Sequence, residues 1–379
     1  MKIKKLIPVL VLMLLLLIST GCERKVVNEV VGNQTSQVSC FTCHDDNDVF
    51  LVQARQEYDE SQHAIGETVH RNRNNASYYQ ACERCHTNEG YVARVTGSSY
   101  SGEHFSKISC FTCHEPHTSG TLALRVDMLD MMATLSNGAI HDLGEGNTCG
   151  QCHISRQDVT EYVVDNDTLD IRYGPHHGPQ TDMLVGDNAY EYADYTAGYN
   201  NSYHISGLTD GCVDCHMATP VYGAGGHTFN VTGEEEGSEF ANVAGCNIEA
   251  CHSGNPLTTF NRTANGDYDW DGSTEGVQDE VMGLLDSLEI LLFADSLLEW
   301  VHEGDDSLPE PKDDRPVALA DSAGAVFNYM FVKEDGSKGV HNTDYAVALL
   351  QSSINYLASG DPDGAPIINK NGPSLVAAH

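Results

Sequence analysis

Cys82-Glu-Arg-Cys85-His86, Cys110-Phe-Thr-Cys113-His114, Cys149-Gly-Gln-Cys152-His153 and Cys212-Val-Asp-Cys215-His216 repeat one pattern, C-x-x-C-H. Cys40-Phe-Thr-Cys43-His44 is a fifth copy, and Cys246-Asn-Ile-Glu-Ala-Cys251-His252 is a stretched sixth. Apart from Cys22, these twelve are all the cysteines the chain has, and every pair is followed at once by His. C-x-x-C-H is the attachment signature of c-type haem. Two thiols one helical turn apart add across the two vinyl groups of one porphyrin, and the next His lies under the ring and reaches iron. The stretched copy presents the same three atoms once its loop bulges. A disulfide framework leaves the six following His unexplained. Zinc knuckles need further ligand sets at typical spacing. A thioredoxin-like site occurs once, inside a βαβ pattern. The expectation is six covalently bound haem c groups, with His44, His86, His114, His153, His216 and His252 as the proximal ligands.

The N-terminus carries an export pattern. Met1 to Lys5 is basic, Leu6 to Ile18 is apolar, and Ser19-Thr20-Gly21 leads to Cys22. The apolar run is short for a bilayer span. The small residues before Cys22 resemble a bacterial lipobox, although Ser19 stands where such boxes carry Leu. Residues 1–21 therefore read as a lipoprotein-type signal peptide, with plain cleavage or an uncleaved anchor as alternatives. A membrane partner through lipid at Cys22 follows, on the periplasmic side or at the cell surface. Residues 22–39 read as a tether. Haem thioethers form outside the cytoplasm, which agrees with export.

The 379 residues hold 20 Lys and Arg against 55 Asp and Glu. Removing Lys2, Lys4 and Lys5 with the signal leaves 17 basic against 55 acidic side chains, a net −38. Nothing of that charge pairs with phosphate, so nucleic acid is not an expected partner. Redox partners with basic docking surfaces are. Hydrophobic content is 40%, with only 10 Phe and 2 Trp, so large apolar side chains are scarce and the porphyrins must serve as core. Motif starts are separated by 42, 28, 39, 63 and 34 residues. Those gaps are too short for one domain per ring, so the rings are expected as a chain of neighbours.

The expected fold is mainly α with extensive loops: a multihaem region over 40–260 organised around a haem chain, plus C-terminal helices. Val277, Val281, Leu284, Leu288, Leu292 and Val301 recur at three and four, predicting an amphipathic helix over about 277–302. Pro316 is placed to open a second helix reaching Phe331. Asn342 or Thr343 caps a third. The helical region is drawn as 277–358, with a loose tail over 359–379.

Iron takes two axial ligands. The second-ligand candidates are His63, His117, His176 and His177 between prolines, His204, His227 and His341. His117 is too near His114 to reach the same iron and is assigned to another ring. His70, His104 and His141 stand in reserve, and His302 and His379 read as incidental. If every iron has two imidazoles, none is open to substrate, and no catalytic residue is expected. Met128, Met131 and Met132 read as an apolar face. The acidic loop over 261–276, with Asp267, Asp269, Asp271 and then Gly272, matches the start of an EF-hand calcium loop. Gln278 occupies the closing place, so Ca2+ would need Glu275 or Glu280; a solvated acidic turn is the alternative.

These residues resemble the multihaem c-type cytochromes of metal- and sulfur-respiring bacteria. The carriers are Cys110-Phe-Thr-Cys113-His114-Glu-Pro-His117, the Gly174-Pro-His-His-Gly-Pro-Gln180 run, Cys212-Val-Asp-Cys215-His216-Met217, Gly226-His227-Thr-Phe229 and Gly339-Val-His341-Asn342. The resemblance implies bis-His haems and respiratory electron transfer outside the inner membrane, with an extracellular acceptor as one destination. It also implies two alternatives: a haem reductase of small nitrogen or sulfur oxyanions, and a subunit of an extracellular cytochrome filament. Related nitrite-reducing enzymes carry Lys for the proximal His in one motif; no motif here ends in Lys.

Overall fold

The computed structural model describes residues 49–66, 82–100, 105–115, 122–303 and 306–364. The signal, the tether with Cys22, the first motif (Cys40, Cys43, His44), His70, His104, His117 and His379 lie outside the described residues.

Helices carry the C-terminal part. α1 (Val49–Asp59), α2 (Asn88–Thr96) and α3 (Gln180–Val185) come first, followed by α4 (Val277–Ala294), α5 (Ala320–Asp335) and α6 (Thr343–Ser359). On α4, Val281, Leu284, Leu288 and Leu292 repeat every three or four residues and are wholly buried. They meet Phe327 and Phe331 of α5 and Tyr345, Leu349, Leu350 and Ile354 of α6 in one core. Val159, Val163, Leu169, Tyr173, Met183 and Ala189 join the same core. The helical unit is thus continuous in packing with part of the motif-bearing region. Asn342 caps α6 by accepting from the Tyr345 amide at 3.3 Å. It also accepts from the Ser202 amide at 2.9 Å and donates to Asn201 Oδ1 at 2.7 Å. One buried amide side chain therefore starts a helix and fastens it to the segment before the fifth motif.

Two of the predicted helix limits are corrected. The first helix ends at Ala294. The Asp295-Ser296 turn, with Ser296 at φ +56°, redirects the chain into an antiparallel hairpin, Leu298–Glu303 with Asp306–Pro311. Trp300 and Val301 favour a pleated surface over a helix, and Trp300 stacks on Phe293 at 5.0 Å between ring centroids. Pro316 opens no helix. It lies in strand Arg315–Val317, opposite Thr168 of Asp167–Leu169, in a two-stranded ribbon where its missing donor is tolerated. α5 starts four residues later.

Sheet is limited to four two-stranded pairs among the described residues. Outside α1, α2 and α3 the motif-bearing region is mostly loops and short turns: 82–86, Cys110–Cys113 and Cys212–His216 are short helices, and Cys149 sits in the 3-10 segment Gly144–Gln151. Its apolar clusters are small, one around Leu135, Ile154 and Leu184 and another around Tyr91, Val95 and Val126. No helix among the described residues is long and apolar enough to cross a membrane.

Phe327 is fully buried between Phe331 and Tyr162. Phe327→Ala is expected to cost about 3–5 kcal/mol, measured as a fall in the denaturant midpoint at constant slope.

A cavity lined by facing histidines

The motif turns and the loops between them enclose a cavity of about 1550 Å3, larger than the ~300–1,000 Å3 of a single small-molecule site. The cysteines and histidines of the second to fifth motifs line it, together with His63, His176, His177, His204, His227 and His341. The ten described cysteines are free thiols, so no disulfide framework connects them. Thiols of different motifs are close enough to perturb one another: Cys85 and Cys152, Cys149 and Cys212, and Cys215 and Cys246. The second, fourth, fifth and sixth motifs thus form a row. Tyr91 is buried among Cys113, Cys149 and Cys152, whose charges add to the burial that pushes its hydroxyl above the ordinary range.

The motifs close alike. The His114 amide donates to the Cys110 carbonyl at 2.9 Å and the His153 amide to the Cys149 carbonyl at 3.0 Å. In the stretched motif the His252 amide donates to the Cys246 carbonyl at 3.1 Å. Its two extra residues bulge outward while its ends meet as in the shorter copies.

Four motif histidines each confront an imidazole from a distant segment. Ring centroids are 6.1 Å apart for His153 and His63, 6.4 Å for His86 and His176, 6.3 Å for His114 and His227, and 6.2 Å for His216 and His341. Two imidazoles bound to one metal through Nε2, at about 2.0 Å per bond and about 1.1 Å from nitrogen to centroid, would stand roughly 6.2 Å apart. His252 has His204 as its histidine neighbour: burial first, then repulsion between the two rings, holds His252 below the usual histidine range.

The outer nitrogens are held as metal ligation requires. Nδ1 of His114 donates to the Leu122 carbonyl at 2.7 Å, that of His216 to the Phe229 carbonyl at 2.8 Å, and that of His204 to the Val340 carbonyl at 2.9 Å. His153 Nδ1 lies 3.1 Å from Gln180 Oε1. The Gln180 amide nitrogen donates to the Glu334 carbonyl at 2.9 Å, so its oxygen is left for the imidazole. His341 Nδ1 is 2.6 Å from Asp335 Oδ1. In each case Nδ1 holds a proton. Burial acts to lower His341, but the Asp335 carboxylate against it raises it above the ordinary histidine value. Burial is the first cause that lowers His63 and His176, both to about 4, aided by the charge of His153 on the one and of Arg156, His177 and His86 on the other. Burial likewise lowers His86, His153, His216 and His227. These imidazoles are neutral near pH 7, the form that binds metal. Spacing, tautomer and free thiols all fit porphyrin iron.

Both members of the His176-His177 pair are exposed, and His176, at φ +73°, is the one that confronts His86. His177 lies 2.8 Å from Glu334. His141 faces Asp187 at 3.4 Å, and His302 Nδ1 accepts from the Ser307 hydroxyl at 2.8 Å. The acidic loop brings one oxygen each of Asp267, Asp269 and Glu280 within 4.8 Å of one another. Asp271 stands outside that group and accepts from the Ser273 amide. Glu280 is buried and accepts from the Tyr268 and Glu275 amides at 2.7 and 2.9 Å.

No local pattern marks Phe229 as a junction. Its ring touches His63 at 5.2 Å and His227 at 6.1 Å, and its carbonyl holds His216. Asp182 was equally hidden. It accepts from the Ser155 amide at 2.8 Å and from the Asn188 side chain at 2.8 Å, bracing the loop behind His153.

No family model and no solved structure matches the chain. Among curated proteins it is similar to the C-type polyheme cytochrome OmcC of Geobacter sulfurreducens, 20% identical over 347 residues, covering 77% of this chain and 44% of that protein. The chain spans less than half the length of that relative. The similarity points to multihaem c-type cytochromes.

Burial pushes the Asp182 carboxyl up to about 7. The folded state then keeps a proton that the unfolded chain has released above about pH 4. That contribution is present at low pH and is lost as pH rises through 7. Asp182→Asn should therefore gain stability relative to the native protein between pH 5 and pH 8. Equal pH slopes in denaturant titrations of the two proteins would contradict the assignment.

Proposed function

We propose that the chain is a hexahaem c-type cytochrome that carries electrons between respiratory partners outside the inner membrane. The observation that supports this best is the set of four imidazole pairs at one-metal spacing, three of which have at least one Nδ1 held by an acceptor behind it. Covalently bound haem would supply one-electron chemistry at iron. The chain's own residues do the rest. Cys82 and Cys85, Cys110 and Cys113, Cys149 and Cys152, Cys212 and Cys215, and Cys246 and Cys251 anchor five rings, and Cys40 and Cys43 a sixth. His63, His176, His204, His227 and His341 complete the coordination of the rings at His153, His86, His252, His114 and His216. Coordination closed by two imidazoles leaves no position for substrate, which favours a carrier over a reductase. The row of touching motifs keeps neighbouring sites close.

The reading extends to place and partners. Residues 1–21 direct export, Cys22 bears lipid, and the acidic chain docks basic redox proteins. Asp267, Asp269 and Glu280 hold one Ca2+, which offsets the concentration of negative charge at the start of α4.

The intact mass of denatured holoprotein should equal the processed polypeptide plus six haems, and the oxidised spectrum should be low-spin throughout. The bare polypeptide mass would refute the proposal. His176→Ala should convert one haem in six to a high-spin form, whereas His177→Ala should leave the spectrum unchanged. For the cation, one calcium per chain should survive dialysis in the native protein and be lost in Glu280→Gln. A chain free of every metal but iron would end that assignment.

A further inference from the structure

The facing imidazoles differ in what holds their outer nitrogen. His114, His204 and His216 donate to main-chain carbonyls, and His153 to an amide oxygen, all neutral acceptors. His227 has a carboxylate nearby, but Glu57 is 3.8 Å from its Nδ1, beyond hydrogen-bond reach. His341 has Asp335 Oδ1 at 2.6 Å, and the Asp335 side chain has 0% exposure. A full negative charge therefore rests, screened from water, against the back of one ligand.

The contact is built into the backbone. Asp335 is the last residue of α5, and Gly336 at φ +72° turns the chain there. Asp335 Oδ2 accepts from the Ser337 amide at 3.2 Å and from the Ser337 hydroxyl. Ser337 Oγ in turn accepts from the His341 amide at 3.1 Å. Gly339 takes φ +85° with its α-carbon pressed on α4, where an added Cβ would meet Val281 at 2.7 Å. Asn342 then fixes the start of α6. The loop from Asp335 to His341 is thus closed at both ends and braced in the middle, so the carboxylate cannot turn away.

We propose that Asp335 lowers the reduction potential of the haem attached at Cys212, Cys215 and His216. The inference rests on His216 and His341 being its axial pair. Reduction adds one electron to that iron, and the proton on Nδ1 stays where it is. A carboxylate on Nδ1–H makes the imidazole a stronger donor, and its charge opposes the incoming electron in a low-dielectric setting. The oxidised form is stabilised relative to the same site with a neutral acceptor. The fifth motif has the fourth and sixth motifs as neighbours, Cys149 beside Cys212 and Cys246 beside Cys215, so a ring held there would have one on either side. Asp335 would therefore set a step within the row and leave its ends untouched.

The test is a spectroelectrochemical titration of full-length holoprotein. Asp335→Asn keeps an oxygen acceptor and removes the charge. One of the six one-electron steps should rise by tenfold or more in its equilibrium constant, about 59 mV, with haem count and low-spin spectrum unchanged. Ser337→Ala strips the carboxylate of its hydroxyl donor, concentrates its charge, and should shift the same step downward. Superimposable titrations for native protein and both variants would overturn the proposal. So would a high-spin signal in Asp335→Asn, which would mean that the carboxylate merely holds His341 in place. A native protein without six low-spin haems would fail the underlying reading by a separate measurement.

Discussion

The motif-bearing half of the molecule depends on imidazoles from distant segments being held about 6 Å apart, ring against ring. Apart from the stretch from Val159 to Ala189, which joins the helical core, that half has no core of ordinary size. The apolar clusters are small, the sheets are pairs, and the helices beside the cysteines are single turns. A wall of thiols and neutral imidazoles around a large cavity is costly unless something apolar and metal-bearing occupies it. The C-terminal helices supply the rigid body against which these loops are set. They do so through polar fasteners: Asn342 to Ser202, Gln180 to Glu334, and Asn328 to Tyr190, whose amide it accepts at 2.9 Å.

The local motifs were legible in the sequence because they are written at fixed spacing. Five C-x-x-C-H copies need no tertiary knowledge, and the stretched copy could be matched to them by its His. Asn342 as a helix cap and the three-four repeat on α4 were equally readable. The candidates opposite the motif histidines could be named, but which one faces which could not. His63 stands opposite His153 and His227 opposite His114, and no local rule connects such positions. The limits of α4 and α5 were misjudged for a related reason. An apolar repeat continues through Leu298 and Val301 whether they lie on a helix or a pleat. Only the Asp295-Ser296 turn and the pairing with Asp306–Pro311 decide between them.

The outer hydrogen bonds were also beyond reach of the sequence. Carbonyls have no identity in a sequence, so the acceptors on Leu122, Phe229 and Val340 leave no trace in it. Gln180 and Asp335 look like ordinary polar residues beside a helix. They matter because α3 and α5 bring them to the backs of His153 and His341.

The crossing of segments has a consequence for biosynthesis. In a chain that is translocated N-terminus first, His63 emerges before His153, but His176, His227 and His341 emerge well after His86, His114 and His216. Under the proposed coordination, three irons would wait with one vacant face until later segments arrive. The last of them, at His216, would be completed only when the turn before α6 has been delivered. Maturation would then run as a ratchet, each new stretch of polypeptide locking a centre installed earlier. A chain truncated before His341 would leave one centre unfinished and reactive.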